Sequence, residues 1–310
     1  MKLISIVTAC YNEEENVQTV YEQVRAVFQD LPQYKYEHLF IDNASTDKTV
    51  SILKDIALKD QNVKIIVNAR NFGHVRSPSY ALLQASGDAV ISIVADLQDP
   101  PEMIKAFLQK WEEGFKFVVG VKAKSHENAL MFFLRKTYYR FIAKIAETPI
   151  VKNFTGFGLY DKKVMDIIRK LDDPYPYFRG LISEIGFEVA QIPYEQPQRA
   201  GGRTKNNFYT LFDMAMLGIT SHSKLPIRIM TIGGFILSVI SFVLAIVFLF
   251  LKLIFWQHFS VGVAPILIGL FFFSSVQLFF IGMIGEYIAA VHTQVMKRPL
   301  VIEKERINFD

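Results

Sequence analysis

Short apolar runs alternate with amphipathic stretches through residues 1–122 of the chain. The apolar runs predict strands, and the stretches with helical spacing predict helices. The predicted strands are Leu3 to Thr8, Tyr36 to Ile41, Val63 to Val67, Ala89 to Val94 and Phe115 to Val121. The predicted helices are Glu14 to Phe28, Asp47 to Leu58, Ser77 to Ala85 and Pro100 to Glu113. This alternation predicts an α/β domain with a doubly wound, Rossmann-like sheet.

The run Ala89-Val-Ile-Ser-Ile-Val94 is apolar at nearly every position. Such a run is typical of a strand that is buried on both faces of a parallel sheet. We therefore expect the residues after Val94 to lie at the carboxyl end of the sheet, where open α/β sheets bind their ligands.

Two longer apolar segments follow. Ile229 to Phe255 contains Lys252 as its one charged residue, and Val261 to Gly285 contains none. Both exceed the ~20 residues that a helix needs to cross a bilayer. We predict two transmembrane helices, at about residues 229–255 and 261–288. Two amphipathic helices at about 128–146 and 206–222 carry apolar positions beside cations, which suits the bilayer interface.

These segments divide the chain into a domain at 1–225, a membrane part at 226–292 and a tail at 293–310. Lys224 and Arg228 precede the first span, and Lys297 and Arg298 follow the second, whereas the connection between the spans carries no Lys or Arg. This distribution predicts a multi-pass protein of the inner (plasma) membrane with both termini and the large domain in the cytoplasm. No signal peptide is evident.

Composition narrows the classes of function. Hydrophobic residues make up 51% of the chain, which is high for a soluble enzyme. Cys10 is the one cysteine, so an intramolecular disulfide is excluded and a reducing compartment is favoured. The net charge of +4 lies largely near the membrane and favours phosphates and lipid surfaces over nucleic acid as partners. Neither a G-x-G-x-x-G fingerprint nor a Walker A sequence is present.

Polar residues follow several of the predicted strands. Asp96 and Gln98 come after Val94, and hard oxygen ligands of this kind suit Mg²⁺ or Mn²⁺ on a diphosphate. Caps of the next helix are the alternative, and the residues alone leave it open. Tyr11, Glu13 and Asp42 offer a ring to stack on a base and carboxylates to accept base N–H or ribose hydroxyl groups.

Arg70 follows the third predicted strand and would supply a cation near a nucleotide. A solvated loop arginine is the open alternative at this position. The loop Ser45-Thr-Asp47 also reads as a turn with a helix N-cap. A cap and a ligand site can share one loop.

Several motifs together resemble one family. In order they are Ser5-Ile-Val-Thr-Ala-Cys-Tyr-Asn-Glu-Glu14, Asp42 to Thr49, Arg70-Asn-Phe-Gly73, Asp96-Leu-Gln-Asp-Pro-Pro-Glu102 and Arg199-Ala-Gly-Gly-Arg-Thr-Lys205. With the two apolar segments, they resemble the family 2 glycosyltransferases of the GT-A fold. More narrowly, the chain is similar to polyprenyl-phosphate glycosyltransferases such as dolichol-phosphate mannose synthase and bacterial GtrB-type glucosyltransferases. The resemblance covers nearly the whole chain.

The resemblance implies roles for particular residues. The nucleotide of a sugar donor would be held by Tyr11, Glu13, Asp42, Arg70, Asp96, Thr204 and Lys205. The ion, Mg²⁺ or Mn²⁺, would be ligated by Asp96 and Gln98, and the implied catalytic set is Asp96, Arg199 and Lys205. In the mobile basic loop, Arg199, Thr204 and Lys205 would close over the phosphates, with an ordinary solvated loop as the alternative.

Two positions depart from the family pattern. Members commonly carry another acid where this chain has Val94, and many carry an Asp at about Gly156. Asp99 is a possible substitute ligand, and Asp161 is expected to cap a helix. A lipid monophosphate has a second pKa near ~6 and is largely dianionic at neutral pH, so it can attack without a base.

On this reading the protein is an inverting transferase that moves a hexose, glucose from UDP-glucose, to undecaprenyl phosphate, with Arg135 and Arg140 receiving the acceptor phosphate. Packing of the amphipathic helices on the domain or on a neighbouring subunit stays open, and a homo-oligomer is expected. The alternatives are transfer from GDP-mannose, as in dolichol-phosphate mannose synthase, and a non-catalytic membrane scaffold.

Overall fold

The computed structural model describes residues 1–124, 151, 153–176, 178–197, 216, 225–254 and 263–309. Its strands are β1 (Lys2–Cys10), β2 (Tyr34–Asp42), β3 (Val63–Asn68), β4 (Ala89–Val94), β5 (Phe117–Lys124), β6 (Phe154–Asp161), β7 (Val189–Glu195) and β8 (Glu303–Ile307). Its helices are α1 (Val17–Gln29), α2 (Thr49–Lys59), α3 (Gly73–Gln84), α4 (Met103–Glu112), α5 (Lys162–Leu171), α6 (Phe178–Ile185), α7 (Leu225–Ile254) and α8 (Val263–Met296). The amphipathic helices predicted at 128–146 and 206–222 lie outside the described residues, apart from residue 216.

The strands form one eight-stranded mixed sheet in the order β7-β5-β6-β4-β1-β2-β3-β8. Its centre is parallel, because β4, β1, β2 and β3 run in one direction. Cys10 pairs with Asp42, and Ala9 pairs with Val94. This register brings the carboxyl ends of β1, β2 and β4 to the same edge of the sheet.

The prediction that β4 lies between two parallel strands is wrong on one side. It is parallel to β1 but antiparallel to β6. Strand β6 can pack this closely in the sheet because it contains glycines. A Cβ at Gly158 would lie only 2.5 Å from the carbonyl oxygen of Val118. The predicted burial holds from Ala89 to Ile91 and at Ile93, all of which are at most 2% exposed.

Helices cover both faces of the sheet, as a doubly wound fold requires. On one face, α1, α2 and α4 pack through residues such as Val24, Leu53 and Phe107. On the other, α3, α5 and α6 pack through residues such as Leu82, Met165 and Ile182. The strands therefore have apolar side chains on both faces of the sheet. Their polar residues lie at the strand ends, along one edge.

Helices α7 and α8 differ from the rest because their apolar side chains are exposed. Within them, Leu225–Leu244 and Phe272–Met296 are long and apolar enough to cross a membrane, and at most 6% of either window is buried. The two helices contact each other. A Cβ at Gly233 would meet the ring of Phe280 at 4.0 Å, so the two helices pack against each other at this point.

The segment after α8 returns to the sheet. Strand β8 pairs antiparallel with β3, Ile65 opposite Ile307, and the N–H of Ala69 donates to the carbonyl oxygen of Ile302 at 2.9 Å. The Asn308 amide donates to the carbonyl oxygens of Ala57 and Val63 at 3.0 and 2.9 Å. The predicted tail at 293–310 thus contributes an edge strand to the large domain.

Candidate functional site

The loops after β1 and β2 are bound to each other at the carboxyl edge of the sheet. The N–H of Asn12 donates to Ser45 Oγ at 2.8 Å, and the N–H of Glu13 donates to Thr49 Oγ1 at 2.9 Å. In return, Asn12 Oδ1 accepts from the N–H of Thr46 at 2.8 Å. Asn12 has φ +53, which an asparagine tolerates better than most residues. These bonds fix the backbone on either side of the predicted nucleotide residues.

Asp42 ends β2 in the middle of this arrangement. It is fully buried, and its Oδ2 accepts from the N–H of Ser45 at 2.9 Å. Its Oδ1 is buried and has no hydrogen-bond partner among the described residues. Burial raises the pKa of Asp42, although hydrogen bonds from Ser45 oppose the shift. A buried carboxylate oxygen without a donor is costly, and a ligand N–H or O–H would satisfy it.

A network of amides holds the loop after β3. Asn43 Oδ1 accepts from the N–H of Phe72 at 2.9 Å and from the Asn68 amide at 3.1 Å. The Asn43 amide donates to Asn71 Oδ1 at 2.9 Å. Arg70 extends from this loop with its Cζ 4.0 Å from the ring centroid of Phe72. The network thereby positions Arg70 at the same edge as Asp42.

Asp96 lies just beyond β4 and is partly buried. Its Oδ1 accepts from the N–H of Gln98 at 3.2 Å, across a turn in which Leu97 has φ +60. No group of three His, Cys, Asp or Glu side chains that could hold a metal is present in the described parts of the chain. Mg²⁺ is usually bound by one or two carboxylates together with substrate phosphates. Asp96 and Gln98 fit an ion that is shared with a diphosphate.

Both oxygens of Asp99 accept hydrogen bonds within the protein. It is 4% exposed, its Oδ1 accepts from the Tyr194 hydroxyl at 3.1 Å, and its Oδ2 accepts from the N–H of Val94 at 3.3 Å. Burial raises the pKa of Asp99 to about 7. Because both oxygens are engaged within the protein, Asp99 is better suited to joining β4 to β7 than to replacing a missing ligand.

A cavity of about 210 Å³ lies beside Asp99. Both positions that depart from the family pattern, Val94 and Gly156, line it, together with His74 and Val75 from the first turn of α3. Val94 is 42% exposed, which is unusual for a valine at the end of a central strand. Gly156 has φ +109, a conformation that an aspartate in its place would adopt only with strain. At Val94 and Gly156, where the family pattern has acids, the lining of the cavity therefore carries no carboxylate.

The structure brings six of the predicted site residues to one edge of the sheet: Tyr11, Glu13, Asp42, Arg70, Asp96 and Gln98. Their roles stay predictions. Arg199, Thr204 and Lys205, and with them Arg135 and Arg140, lie outside the described residues. Asp161 caps α5 as predicted, because its side chain accepts from the N–H of Lys163.

Sequence reasoning missed several residues around the site. Asn43 and Asn68 escaped notice individually, although a polar residue that ends an apolar run is a usable signal. Tyr194 and His74 have no local signal, because only the fold brings the Tyr194 hydroxyl to Asp99 and His74 to the cavity.

Comparisons with known proteins agree with this architecture. The glycosyl transferase family 2 model matches residues 5–169. The chain is 34% identical to an uncharacterized glycosyltransferase, YkcC, of Bacillus subtilis (strain 168), over 99% of this chain and 94% of that protein.

A bactoprenol glucosyl transferase from the SfII prophage of Shigella flexneri is also 34% identical, over 97% of both chains. Mannosyl-3-phosphoglycerate synthase from Rubrobacter xylanophilus shares the fold, with a TM-score of 0.50 and 16% identity over 75% of both chains. The GT-A-like fold expected from the motifs is confirmed, and the chain belongs to glycosyl transferase family 2.

Proposed function

We propose that the protein transfers glucose from UDP-glucose to undecaprenyl phosphate, with inversion at the anomeric carbon, at the cytoplasmic face of the plasma membrane. The observation that carries this proposal is the match to a bactoprenol glucosyl transferase over 97% of both chains, which takes in the apolar helices as well as the catalytic domain. A soluble acceptor would give these helices no role.

The nucleotide lies at the carboxyl edge in this proposal. Tyr11 stacks on the base, and the unpartnered Oδ1 of Asp42 accepts a hydrogen bond from the nucleoside. Asp96 and Gln98 would hold Mg²⁺ or Mn²⁺, which as a Lewis acid would stabilise the negative charge of the departing diphosphate. Arg70, Thr204 and Lys205 add positive charge around the phosphates, and Arg199 lies beside them.

The acceptor needs no general base. Its phosphate is largely dianionic at neutral pH. A phosphate oxygen forms the bond to the anomeric carbon while the bond from that carbon to the UDP oxygen breaks, and UDP leaves with the electron pair. This agrees with the absence of a carboxylate at Gly156 and with an Asp99 whose oxygens are engaged by Tyr194 and Val94.

The orientation in the membrane follows from the sheet. Strand β8 belongs to the same sheet as β1 to β7, so the chain between β7 and β8 must cross the membrane an even number of times. Helices α7 and α8 supply two crossings. The basic residues at both outer ends, including Arg228 and Arg298, support a cytoplasmic position of the domain. The expected homo-oligomer stays a prediction that neither the structure nor the relatives support.

The proposal is tested with the purified full-length protein and radiolabelled UDP-glucose or GDP-mannose, undecaprenyl phosphate, and Mg²⁺, Mn²⁺ or EDTA. We expect labelled glucolipid from UDP-glucose with either ion and none with EDTA. Label from GDP-mannose alone would overturn the sugar assignment. A folded protein that binds UDP but transfers neither sugar would contradict the proposed acceptor or sugar, and one that binds no nucleotide would favour the scaffold alternative.

A further inference from the structure

The end of the second apolar helix lies against the first turn of α3. Helix α8 ends at Met296, Lys297 adopts φ +44 and reverses the chain direction, and Arg298 follows with its side chain exposed. The Arg76 guanidinium donates to the carbonyl oxygen of Pro299. The chain that leaves the membrane is therefore attached directly to the edge of the sheet where the candidate site lies.

Three arginines lie in the neighbourhood of this contact. The Cζ atoms of Arg70 and Arg76 lie 4.0 and 5.4 Å from the ring centroid of Phe72. Burial, Arg70 and Arg298 all lower the pKa of Arg76. Arg70 and Arg76 donate to carbonyl oxygens, and within the described ranges no carboxylate forms an ion pair with any of the three. The described residues therefore leave the positive charge of the cluster without a matching anion.

One donor of the cluster is also unsatisfied. Nε of Arg76 is buried and has no acceptor among the described residues. A buried N–H of a charged group without a partner is costly unless a ligand accepts from it. The fork of N–H groups in a guanidinium matches the oxygens of a phosphate, and several arginines together are typical of phosphate sites.

The position of the arginine cluster favours the phosphate of a membrane lipid over a soluble phosphate. Arg298 lies two residues beyond the apolar window Phe272–Met296, so it lies where the helix would leave the bilayer. On the inner side of the same turn of α3, His74 and Val75 line the cavity that reaches Gly156. A phosphate held here could keep a long apolar tail in the membrane and present its oxygens beside that cavity.

We propose that Arg76 and Arg298, with Arg70 as the third cation, bind the phosphate headgroup of a membrane lipid, and that this lipid is the polyprenyl phosphate acceptor. The inference rests on the proposed function and adds a second contact for the acceptor, besides Arg135 and Arg140. An anionic phospholipid offers related chemistry, so the experiment includes one. Arg70 is left unchanged in the test because it is also predicted to contact the donor.

The experiment measures lipid binding by native mass spectrometry of the full-length protein in detergent. The ligands are undecaprenyl phosphate, undecaprenol, phosphatidylglycerol and inorganic phosphate. The variants are Arg298→Gln, Arg76→Gln and the matched control Arg228→Gln, which removes the same charge at the start of the other apolar helix. We expect Arg298→Gln and Arg76→Gln each to weaken undecaprenyl phosphate binding about tenfold. Arg228→Gln and undecaprenol binding should not change.

Arg298→Gln is the more informative variant because Arg298 makes no hydrogen bond or ion pair with the described residues, so its loss should not disturb folding. Unchanged undecaprenyl phosphate affinity in this variant, with an unchanged melting temperature, would overturn the site. An equal loss of phosphatidylglycerol binding, or a preference for inorganic phosphate, would overturn its assignment to the acceptor.

UDP affinity, measured by calorimetry, separates this proposal from the proposed function. It should be unchanged in Arg298→Gln, and a fall would overturn the headgroup assignment in favour of the donor. If the wild type transfers no sugar but binds undecaprenyl phosphate through these arginines, the proposed function fails and the site stands. If transfer occurs and Arg298→Gln leaves the KM for the lipid unchanged, the site fails and the function stands.

Discussion

Strand β2 carries two buried carboxylates, Glu37 near its start and Asp42 at its end, and the protein treats them differently. Glu37 is 4% exposed and is surrounded by donors: the Ser5 hydroxyl, the N–H and hydroxyl of Ser86, and Lys64 at 2.7 Å. Burial opposes its ionisation, but the bonds from Lys64, Ser5 and Ser86 outweigh burial and lower the pKa of Glu37. Asp42 has one satisfied oxygen and a raised pKa.

The difference teaches how to distinguish a structural acid from a binding one. At the amino edge of the sheet, every donor that Glu37 needs is supplied by the protein, so its charge stabilises the fold. At the carboxyl edge, no donor among the described residues reaches Oδ1 of Asp42, and water or a ligand could supply one. Burial alone would have grouped the two residues together.

The largest effect is expected from Glu37→Gln. It leaves Lys64 without its carboxylate and disrupts the bonds to Ser5 and Ser86, which should cost about 2–4 kcal/mol of stability. The melting temperature of the detergent-solubilised protein should fall by about 5–15 °C. Glu112→Gln is the matched control, because its ion pair with Lys2 is exposed. Equal shifts in the two variants would contradict a structural role for Glu37.

Asp42→Asn should weaken nucleotide binding without lowering the melting temperature. The loss of a charged acceptor for the nucleoside should weaken UDP binding about 10- to 100-fold. The melting temperature should stay the same or rise, since a buried charge with an unpartnered oxygen is removed. Calorimetric titration of UDP measures the first effect, with Asp55→Asn on the exposed face of α2 as control. Wild-type affinity in Asp42→Asn would remove Asp42 from the nucleotide site.

The pH dependence of the same variants sharpens the contrast. Glu37 has a lowered pKa, so its contribution is complete above its ordinary value of 4.5 and is lost as the pH falls through the lowered pKa. Asp42 has a raised pKa, so the cost of ionising it is complete above that pKa and disappears towards 3.8.

At pH 7, Glu37→Gln should therefore melt below the wild type, and Asp42→Asn should melt at or above it. Both differences in melting temperature from the wild type should shrink on acidification. The negative difference of Glu37→Gln should rise towards zero, and any positive difference of Asp42→Asn should fall towards zero. Melting curves between pH 3.5 and 7 test this. Differences of the same sign for both variants would refute the comparison.

The smallest effect is expected where β8 meets the domain. Lys54 pairs with Glu305 at 2.7 Å, but both side chains are about 40% exposed. An exposed pair contributes about 0.2–1 kcal/mol, so Lys54→Ala should lower the melting temperature by less than about 3 °C and leave UDP affinity unchanged. A loss comparable to that of Glu37→Gln would show that this edge of the sheet is coupled to the core.

Much of the fold could be predicted because buried strands appear in the sequence as short apolar runs. Strands β1 to β4 lie within two residues of their predicted bounds. Helix starts were less accurate. Helix α1 begins at Val17 rather than Glu14, since the N–H of Glu14 donates to Asp47 at 3.3 Å and the carboxylate of Glu14 accepts from the backbone N–H of Lys48 at 2.9 Å. A local pattern cannot show that a residue is held by a loop elsewhere in the chain.

Strands β6, β7 and β8 were not predicted, and β6 and β8 carry little signal in the sequence. In β6, Gly156 and Gly158 weaken the apolar pattern, although Gly158 is what permits the close approach to Val118. The sequence of β8, Glu303-Lys-Glu-Arg-Ile307, is mostly charged and reads as a solvated tail. It becomes a strand because β3 presents an open edge, which is a property of the assembled sheet.

One rule of α/β folds predicted part of the site. Polar residues at the carboxyl ends of parallel strands gave Asp42 and Asp96 without any knowledge of distant contacts. The role of Asp99 was not predictable, because its partner Tyr194 lies at the end of β7 and comes to it only through the fold.

The pairing of β3 with β8 also has a consequence for biosynthesis. β3 leaves the ribosome early, whereas β8 follows both apolar helices and is the last of the eight strands to emerge. At ~5–20 residues per second, the edge of β3 waits roughly 10–50 s for its partner. During that interval an unpaired edge is open to aggregation. The sheet of a nascent chain can therefore be completed only after both apolar helices have been synthesised.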